Sequence, residues 1–236
     1  MPQRSQFNRL LRQHRDALSA FALHLVNVLD ARQGAYEALD CSGVATRNAK
    51  RRGAGWLPGL TDIGWSNRLG WYEGFHLIMA VNPQGVITGF GFGAASSKDQ
   101  PLADAFFALR NTPTTRLPSV GQPAFGPYVV DTGFSGPDNH AAWAAAYQAQ
   151  VICPPRRTSR QRWSKAWRRW QAGVRQIVET VYDKLHNTFR LARERPHDLT
   201  GFQACLAAKV ALHNFCIWLN VQLGRQRLAF ADLLAW

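Results

Sequence analysis

The order in which apolar segments follow one another constrains the fold of this chain more than any other feature. Short apolar runs, typical of strands, occupy 35–41, 72–81, 86–95, 128–130 and 151–153. Segments whose apolar residues recur with helical spacing occupy 5–30, 99–110, 138–150, 163–189 and 199–223. After an N-terminal helical segment, three predicted strands therefore come before a regular alternation of helix and strand.

This succession predicts an α/β domain with a mixed sheet. The second and third strands are joined across a turn sequence at 82–85, which favours a hairpin. The full order is that of a ribonuclease-H-like fold, a mixed sheet flanked by helices, here with N- and C-terminal helical extensions. We expect a helical segment over 1–34, the ribonuclease-H-like core over 35–195, and a C-terminal helix packed on that core over 196–236. The glycine- and tryptophan-rich region 47–71 is predicted to be a loop.

The charge of the chain indicates a polyanionic partner. Its formal net charge is +13, from 28 lysines and arginines against 15 aspartates and glutamates. A protein this basic repels itself, and binding to a nucleic acid relieves that repulsion. A basic surface without a nucleic-acid partner is the alternative.

Two basic tracts carry the predicted DNA contacts. The tract at 156–170 reads RRTSRQRWSKAWRRW; it contains no acidic residue, and its tryptophans can stack on unpaired bases. The other tract follows the first predicted strand. The predicted DNA-binding residues are Arg47, Lys50, Arg51, Arg52, Arg156, Arg157, Arg160, Arg162, Trp163, Lys165, Trp167, Arg168 and Arg169. A solvated basic helix start with its tryptophans in the core is the alternative.

The cysteines and the apolar segments favour a protein of the reducing cytoplasm that has no contact with a membrane. No two cysteines form a CxxC pair, so neither a zinc site nor a disulfide framework is predicted. The four cysteines are Cys41, Cys153, Cys205 and Cys216. The apolar stretch 201–219 contains Lys209, His213 and Asn214, which favours a buried helix over a membrane span.

Two aspartates follow predicted strands directly. Asp40 closes the apolar run at 36–39, and Asp131 closes the run at 128–130. In α/β sheets, ligands gather at the carboxyl ends of strands. If these strands are neighbours, their two carboxylates need a cation to remain ionised together, and carboxylate oxygens suit Mg²⁺ or Mn²⁺. A turn or helix cap is the alternative for each aspartate.

A third candidate carboxylate lies on the predicted helix at 163–189. At about 100° per residue, Arg175, Glu179 and His186 fall together beside the apolar stripe of that helix. One helix face would then carry a base, an acid and a histidine. A solvated salt bridge between Arg175 and Glu179, four residues apart, is the alternative.

Several longer segments share the pattern of one enzyme family. They are LDCSGVATRNAKRRG at 39–53, WYEGFHLIMAVNPQGVITGFGFGAASSKDQ at 71–100, YVVDTGFSG at 128–136, VICPPRR at 151–157, and the glutamate and closing helices at 175–220. From about Ser5 to Asn220, the chain resembles the bacterial insertion-sequence transposases of the DDE superfamily.

The resemblance implies both an activity and a set of site residues. It implies metal-dependent cleavage and transfer of DNA strands, with Asp40, Asp131 and Glu179 as catalytic metal ligands for two Mg²⁺ or Mn²⁺ ions. It also implies two further catalytic residues. Arg175 is the arginine of the glutamate helix, and His186 stands where relatives often carry a lysine. The implied partners are transposon-end and target DNA, bound by a homodimer on paired ends.

Two alternatives to a working transposase are kept. One is a metal-dependent DNA nuclease or resolvase of the same fold, which cuts DNA without joining it to a target. The other is an inactive, truncated DNA-binding remnant, since relatives usually carry a further DNA-binding segment before the region that matches Ser5.

Overall fold

The computed structural model of the protein describes residues 4–48, 57, 59–111, 121–160, 162–193 and 198–233. In these ranges the strands are β1 (Glu37–Asn48), β2 (Asp62–Ser66), β3 (Gly70–Val81), β4 (Ile87–Ala94), β5 (Tyr128–Val129) and β6 (Val151–Ile152). The α-helices are α1 (Arg4–Gln13), α2 (Arg15–Val28), α3 (Asp99–Asn111), α4 (Pro137–Tyr147), α5 (Lys165–Asp183) and α6 (Leu199–Gln222).

The described strands form one mixed sheet in the order β2-β3-β1-β5-β6, with β4 also paired to β3. One edge of β3 serves two partners: β2 pairs with its first residues, up to Gly74, and β4 pairs with the rest, from Phe75 onward. β1 is antiparallel to β3 and parallel to β5, which is parallel to β6. The expected ribonuclease-H-like mixed sheet, flanked by helices, is confirmed.

The region 47–71 is more regular than the predicted loop. β1 continues to Asn48, β2 lies inside the region, and β3 begins at Gly70. The apolar side chains of β2, Ile63 and Trp65, are exposed, while the buried position between them is Gly64. A side chain at Gly64 would collide with the Ala95 backbone, so this position requires glycine. Because the buried position has no apolar side chain, the apolar pattern did not predict the strand.

Side chains of alternate residues along β1 enter two separate cores. Ala38 and Val44 pack in the core that α2, α5 and α6 cover, whereas Leu39 packs with α3 and α4 on the other face. Each buried aliphatic or aromatic side chain stabilises the fold by about 1.5–3 kcal/mol. A sheet covered on both faces explains why its central strands are almost continuously apolar.

Helix α6 is long and apolar enough to cross a membrane by length and composition alone. In the fold it packs along α2, and Phe202, Leu206, Val210 and Ile217 are buried in the first core. Core packing therefore accounts for its apolar character, as the sequence predicted. The predicted segment boundaries at 34/35 and 195/196 remain predictions.

A buried ion pair joins the start of β1 to the end of α3. The Arg110 guanidinium donates to both oxygens of Glu37, at 2.9 and 3.1 Å, and both side chains are 0% exposed. Arg110 also donates to the Tyr128 hydroxyl of β5 at 2.8 Å, and the Thr88 hydroxyl of β4 donates to Glu37. Burial by itself lowers the pKa of Arg110, but the Glu37 carboxylate outweighs that effect and raises it.

We expect Arg110→Ala to lower the free energy of unfolding by about 3–5 kcal/mol, because it leaves the buried Glu37 carboxylate without its partner. Urea denaturation measures the loss. Arg12→Ala is the matched control: its ion pair with Asp198 is 42% and 45% exposed, and exposed pairs contribute about 0–1 kcal/mol. The double variant Glu37→Leu/Arg110→Met should recover much of the loss, because it leaves no charge unpaired. Equal losses for Arg110→Ala and Arg12→Ala would contradict this account.

Candidate active site

Asp40 and Asp131 are brought together by the parallel pairing of β1 and β5. Ala38 pairs with Val129, so the same register, continued by two residues, aligns Asp40 with Asp131. Both residues are partly buried. Asp131 follows the end of its strand as expected, but β1 runs past Asp40 to Asn48, so only one of the two aspartates closes a strand.

The surroundings of Asp40 disfavour its charged form. Burial, and next the charge of Asp131, raise the pKa of Asp40 to about 7. The Cys41 backbone N–H, which donates to Asp40 Oδ1 at 2.9 Å, and the charge of Arg175 offset only part of this. Two carboxylates held this way have a deficit of positive charge, which is the electrostatic condition for binding a cation.

Asp131 combines a capping role with exposure to the site. Its Oδ1 accepts a hydrogen bond from the Gly133 N–H at 2.7 Å and caps the short 3₁₀ turn Thr132–Phe134. Its Oδ2 lies 4.0 Å from Arg175 Nη1, and the side chain is 26% exposed. The cap fixes one oxygen and leaves the other directed at α5.

The third carboxylate, Glu179 on α5, is linked to Asp131 through Arg175. Arg175 donates from Nη2 to Glu179 Oε1 at 3.2 Å while its Nη1 faces Asp131. The solvated salt bridge that was kept as an alternative is therefore present, and it also links Glu179 to Asp131 through one guanidinium. The Arg175 and Glu179 side chains are 45% and 60% exposed, so they remain open to ligands.

Two hydrogen bonds that the sequence analysis missed fix α5 against both aspartate-bearing segments. Gln171 donates from Nε2 to the carbonyl of Val130 at 3.1 Å, and the Tyr182 hydroxyl donates to the carbonyl of Asp40 at 2.7 Å. Gln171 and Tyr182 are eleven residues apart, about three helical turns, on the side of the helix that meets the sheet. Tyr182 belongs to the predicted apolar stripe, and the place of the polar Gln171 on the same side of the helix is the signal that could have identified it.

His186 does not share the solvent-facing site with Glu179, and the prediction of a common face is wrong. The helix widens into a π-helical turn at Lys184–Thr188, which changes the angular phase of the following residues. His186 is buried, stacks on Tyr182, and lies 3.0 Å from Ser42 Oγ and 3.3 Å from Arg68 Nη2 through Nε2. Burial, then the charge of Arg68, lowers the pKa of His186 to about 4.

The basic tract at 156–170 lies on the surface beside these carboxylates. Its arginines and Lys165 are exposed, Trp167 is 50% exposed, and Trp163 is partly buried against Trp167 at 5.7 Å between ring centroids. Trp170 packs edge-on against Tyr36 of the core side. In the other basic tract, which follows the first predicted strand, Arg47 lies in β1, and Lys50, Arg51 and Arg52 fall outside the described residues.

A groove of about 330 Å³ runs along this tract to Arg175, whose guanidinium lies beside Asp131 and Glu179. Thr132, which follows Asp131, and Gln171 form part of its wall. The cationic side chains that line it are Arg156, Arg157, Arg162, Arg168 and Arg175. A groove lined by several arginines can neutralise the phosphates of a polyanion.

Comparison with known proteins gives one family. A family model described as "Transposase DDE domain" matches residues 38–215, more than half of the chain, and the match contains Asp40, Asp131 and Glu179. No curated protein matches the chain.

We expect Asp40→Asn to stabilise the metal-free protein at pH 8 but not near pH 4. Folding raises the pKa of Asp40 from 3.8 to about 7, so between these values the folded protein holds a proton that the unfolded chain has lost. Stability therefore falls as pH rises through this window, and the full penalty is present above pH 7. The shift is equivalent to at most about 4 kcal/mol, and solvent access reduces it, so we expect a gain of about 2 kcal/mol.

Urea unfolding in the presence of a chelator at the two pH values measures the difference. Asp16→Asn, which removes an exposed carboxylate of α2, should show no such pH-dependent gain. Mg²⁺ should stabilise the unsubstituted protein more than Asp40→Asn. A gain of equal size at both pH values would show that the charge of Asp40 is not its cause.

Proposed function

The chain belongs to the DDE transposase family, and on this premise we propose that it cleaves DNA strands and transfers them to a target with Asp40, Asp131 and Glu179 as catalytic metal ligands. The observation that carries the proposal is the meeting of three distant parts of the chain. Asp40 and Asp131 each follow the paired residues Ala38 and Val129 by two positions, and one guanidinium of α5 contacts both Asp131 and Glu179.

The donor set fits hard divalent cations. Its three carboxylates offer only oxygen, and the burial and the repulsion by Asp131 that raise the pKa of Asp40 are offset by a dication between the groups. Mg²⁺ or Mn²⁺ held by Asp40, Asp131 and Glu179, as two ions in our proposal, would activate the attacking oxygen and stabilise the leaving oxygen.

The residues of the chain itself supply positioning. Gln171 and Tyr182 hold α5 against the carbonyls of Val130 and Asp40, so Glu179 is presented from a rigid helix. The hydrogen bond from the Gly133 N–H fixes Oδ1 of Asp131 and leaves Oδ2 facing Arg175 of the same helix. Catalysis of phosphoryl transfer depends mainly on this kind of preorganisation.

Arg175 is assigned a double role. It neutralises Asp131 and Glu179 when these face each other without a dication, and it is also part of the groove wall. When a dication takes over the carboxylates, the guanidinium is free to pair with a phosphate of the DNA, for which its fork of donors is suited. His186, buried and uncharged, supports β1 through Ser42 and takes no part in the chemistry.

The positive groove is the proposed path of the DNA. Its arginines can neutralise consecutive phosphates, and Trp163, which lines the groove and packs against Trp167, offers a ring on which an unpaired base near the cleaved end could stack. Binding of both ends by a homodimer remains a prediction.

We expect Asp131→Ala, Asp40→Ala and Glu179→Ala each to abolish strand cleavage while DNA binding stays within a few-fold of the unsubstituted protein. The reason is that each removes a metal ligand and leaves the groove unchanged. The assay incubates the protein and Mn²⁺ with DNA carrying the sequences that flank its gene, and separates nicked and joined products on a denaturing gel.

Asp138→Asn, which alters an exposed carboxylate at the start of α4, is the control and should cleave normally. Strand transfer supports the proposal; cleavage without joining would indicate a nuclease or resolvase, and binding alone an inactive remnant. Full cleavage by Asp131→Ala would refute the assigned ligands.

We expect Arg157→Gln/Arg168→Gln to weaken DNA binding and to make it less sensitive to salt. Each lost phosphate contact should reduce the slope of log K against log salt concentration by about 0.9, so the double variant should lose about 1.8. Fluorescence anisotropy over a salt series measures this slope. Arg9→Gln/Arg225→Gln removes the same charge at exposed positions on α1 and after α6 and should leave most of the slope intact. Equal effects of the two double variants would show a response to net charge only.

A further inference from the structure

A second set of potential metal ligands lies on the other face of the sheet from Asp40. The ligand atoms of Cys41, His76 and Asp99 all lie within 4.8 Å of one another, and the three residues are partly buried. Cys41 packs against the core that contains Leu39, whereas the next residue of β1, Ser42, contacts His186 under the opposite face. This cluster is not part of the carboxylate set proposed above.

The fold brings the three residues together from three different elements. In the β1–β3 ladder, Cys41 pairs with Ile78 and Gly43 with His76, so Cys41 and His76 are diagonal neighbours on one face. Asp99 is the first residue of α3, and its carboxylate lies within 4.8 Å of the Cys41 sulfur. No local spacing in the sequence could have indicated this site, which explains why none was expected.

The orientation of His76 suits a metal ligand. Its Nδ1 lies 2.8 Å from the carbonyl oxygen of Ser97, and a carbonyl can only accept, so Nδ1 carries the proton. Nε2, which lies 3.6 Å from Asp99 Oδ1, is the ring nitrogen that remains to bind a metal. A histidine that donates its other N–H to a backbone carbonyl is the usual outer-shell arrangement of metal-binding histidines.

The chemistry of the three donors selects the metal. A thiolate, an imidazole and a carboxylate suit Zn²⁺, whereas Mg²⁺ prefers oxygen alone. His76 and Asp99 also line a cavity of about 590 Å³ together with Gly133 and Arg156. This space gives access from solvent and room for a water as the fourth ligand, the coordination of zinc sites that keep one position open.

We propose that Cys41, His76 and Asp99 bind a Zn²⁺ ion in this protein. Binding replaces the thiol hydrogen: the Cys41 S–H bond breaks, a sulfur–zinc bond forms, and the proton goes to solvent. The ion would cross-link β1, β3 and the start of α3. Because Cys41 adjoins Asp40, and Asp99 packs where a side chain at Gly133 would overlap it, the cross-link would also hold the backbone behind both aspartates.

Cobalt substitution tests the site directly. The whole chain is freed of metal with a chelator, a stoichiometric amount of Co²⁺ is added, and absorption is recorded. We expect a thiolate-to-Co²⁺ charge-transfer band in the near ultraviolet together with the visible bands of tetrahedral Co²⁺, and both should be displaced by Zn²⁺. Coordination by carboxylates alone produces no thiolate band.

Cys41→Ser should remove the charge-transfer band and weaken Zn²⁺ binding by more than the roughly tenfold that loss of an outer-shell partner costs. Cys153→Ser, which changes another partly buried cysteine packed against the same core, should keep the band. His76→Asn is the second variant, and it should keep a weaker band with altered visible absorption. Thermal unfolding of each metal-free variant verifies that it folds.

The outcomes separate this site from the proposed catalytic one. Asp40→Asn should lose DNA cleavage but keep the Co²⁺ band. The cleavage assay therefore tests the catalytic proposal, and the absorption band tests the Zn²⁺ proposal separately. A band that persists in Cys41→Ser, a band lost in Cys153→Ser, or no band in the unsubstituted protein would overturn the Zn²⁺ site.

Discussion

The buried ion pair between Glu37 and Arg110 holds together the elements from which the acidic site is built. It links the first residue of β1 to the end of α3 and, through Tyr128, to β5. Both charged groups are buried away from water, so each is stabilised by the other. Displacement of either would leave an unpaired charge in the core. The pairing of β1 with β5, and hence the alignment of Asp40 with Asp131, starts at this point.

The site itself works against the stability of the fold. Burial and the neighbouring carboxylate raise the pKa of Asp40, which means that the ionised site is disfavoured until a cation reaches it. In the structure, Arg175 supplies part of that positive charge. The unfavourable free energy of placing like charges close together is offset by the hydrogen bonds of Gln171 and Tyr182 and by the packing of α5 on the sheet.

Much of the fold followed from the sequence because hydrophobic periodicity reports burial. The strands β3 and β4 and the helices α3, α5 and α6 were predicted close to their observed bounds. β2 was missed because its buried position is a glycine and its apolar side chains face outward. His186 was assigned to the wrong face because a straight α-helix was assumed, and periodicity cannot show where a helix widens into a π turn.

The sequence by itself determined which groups are available: acids placed after apolar runs, a glutamate beside a helical stripe, and an arginine-rich tract with interspersed tryptophans. Those features depend on local spacing, and local spacing is what a sequence records. Only the tertiary structure decided which groups meet. Strand register set Asp40 beside Asp131, the hydrogen bonds of α5 set its alignment, and the β1–β3 ladder and the start of α3 brought Cys41, His76 and Asp99 together. Contacts between distant residues arise from pairing and packing of whole elements, so no local pattern encodes them.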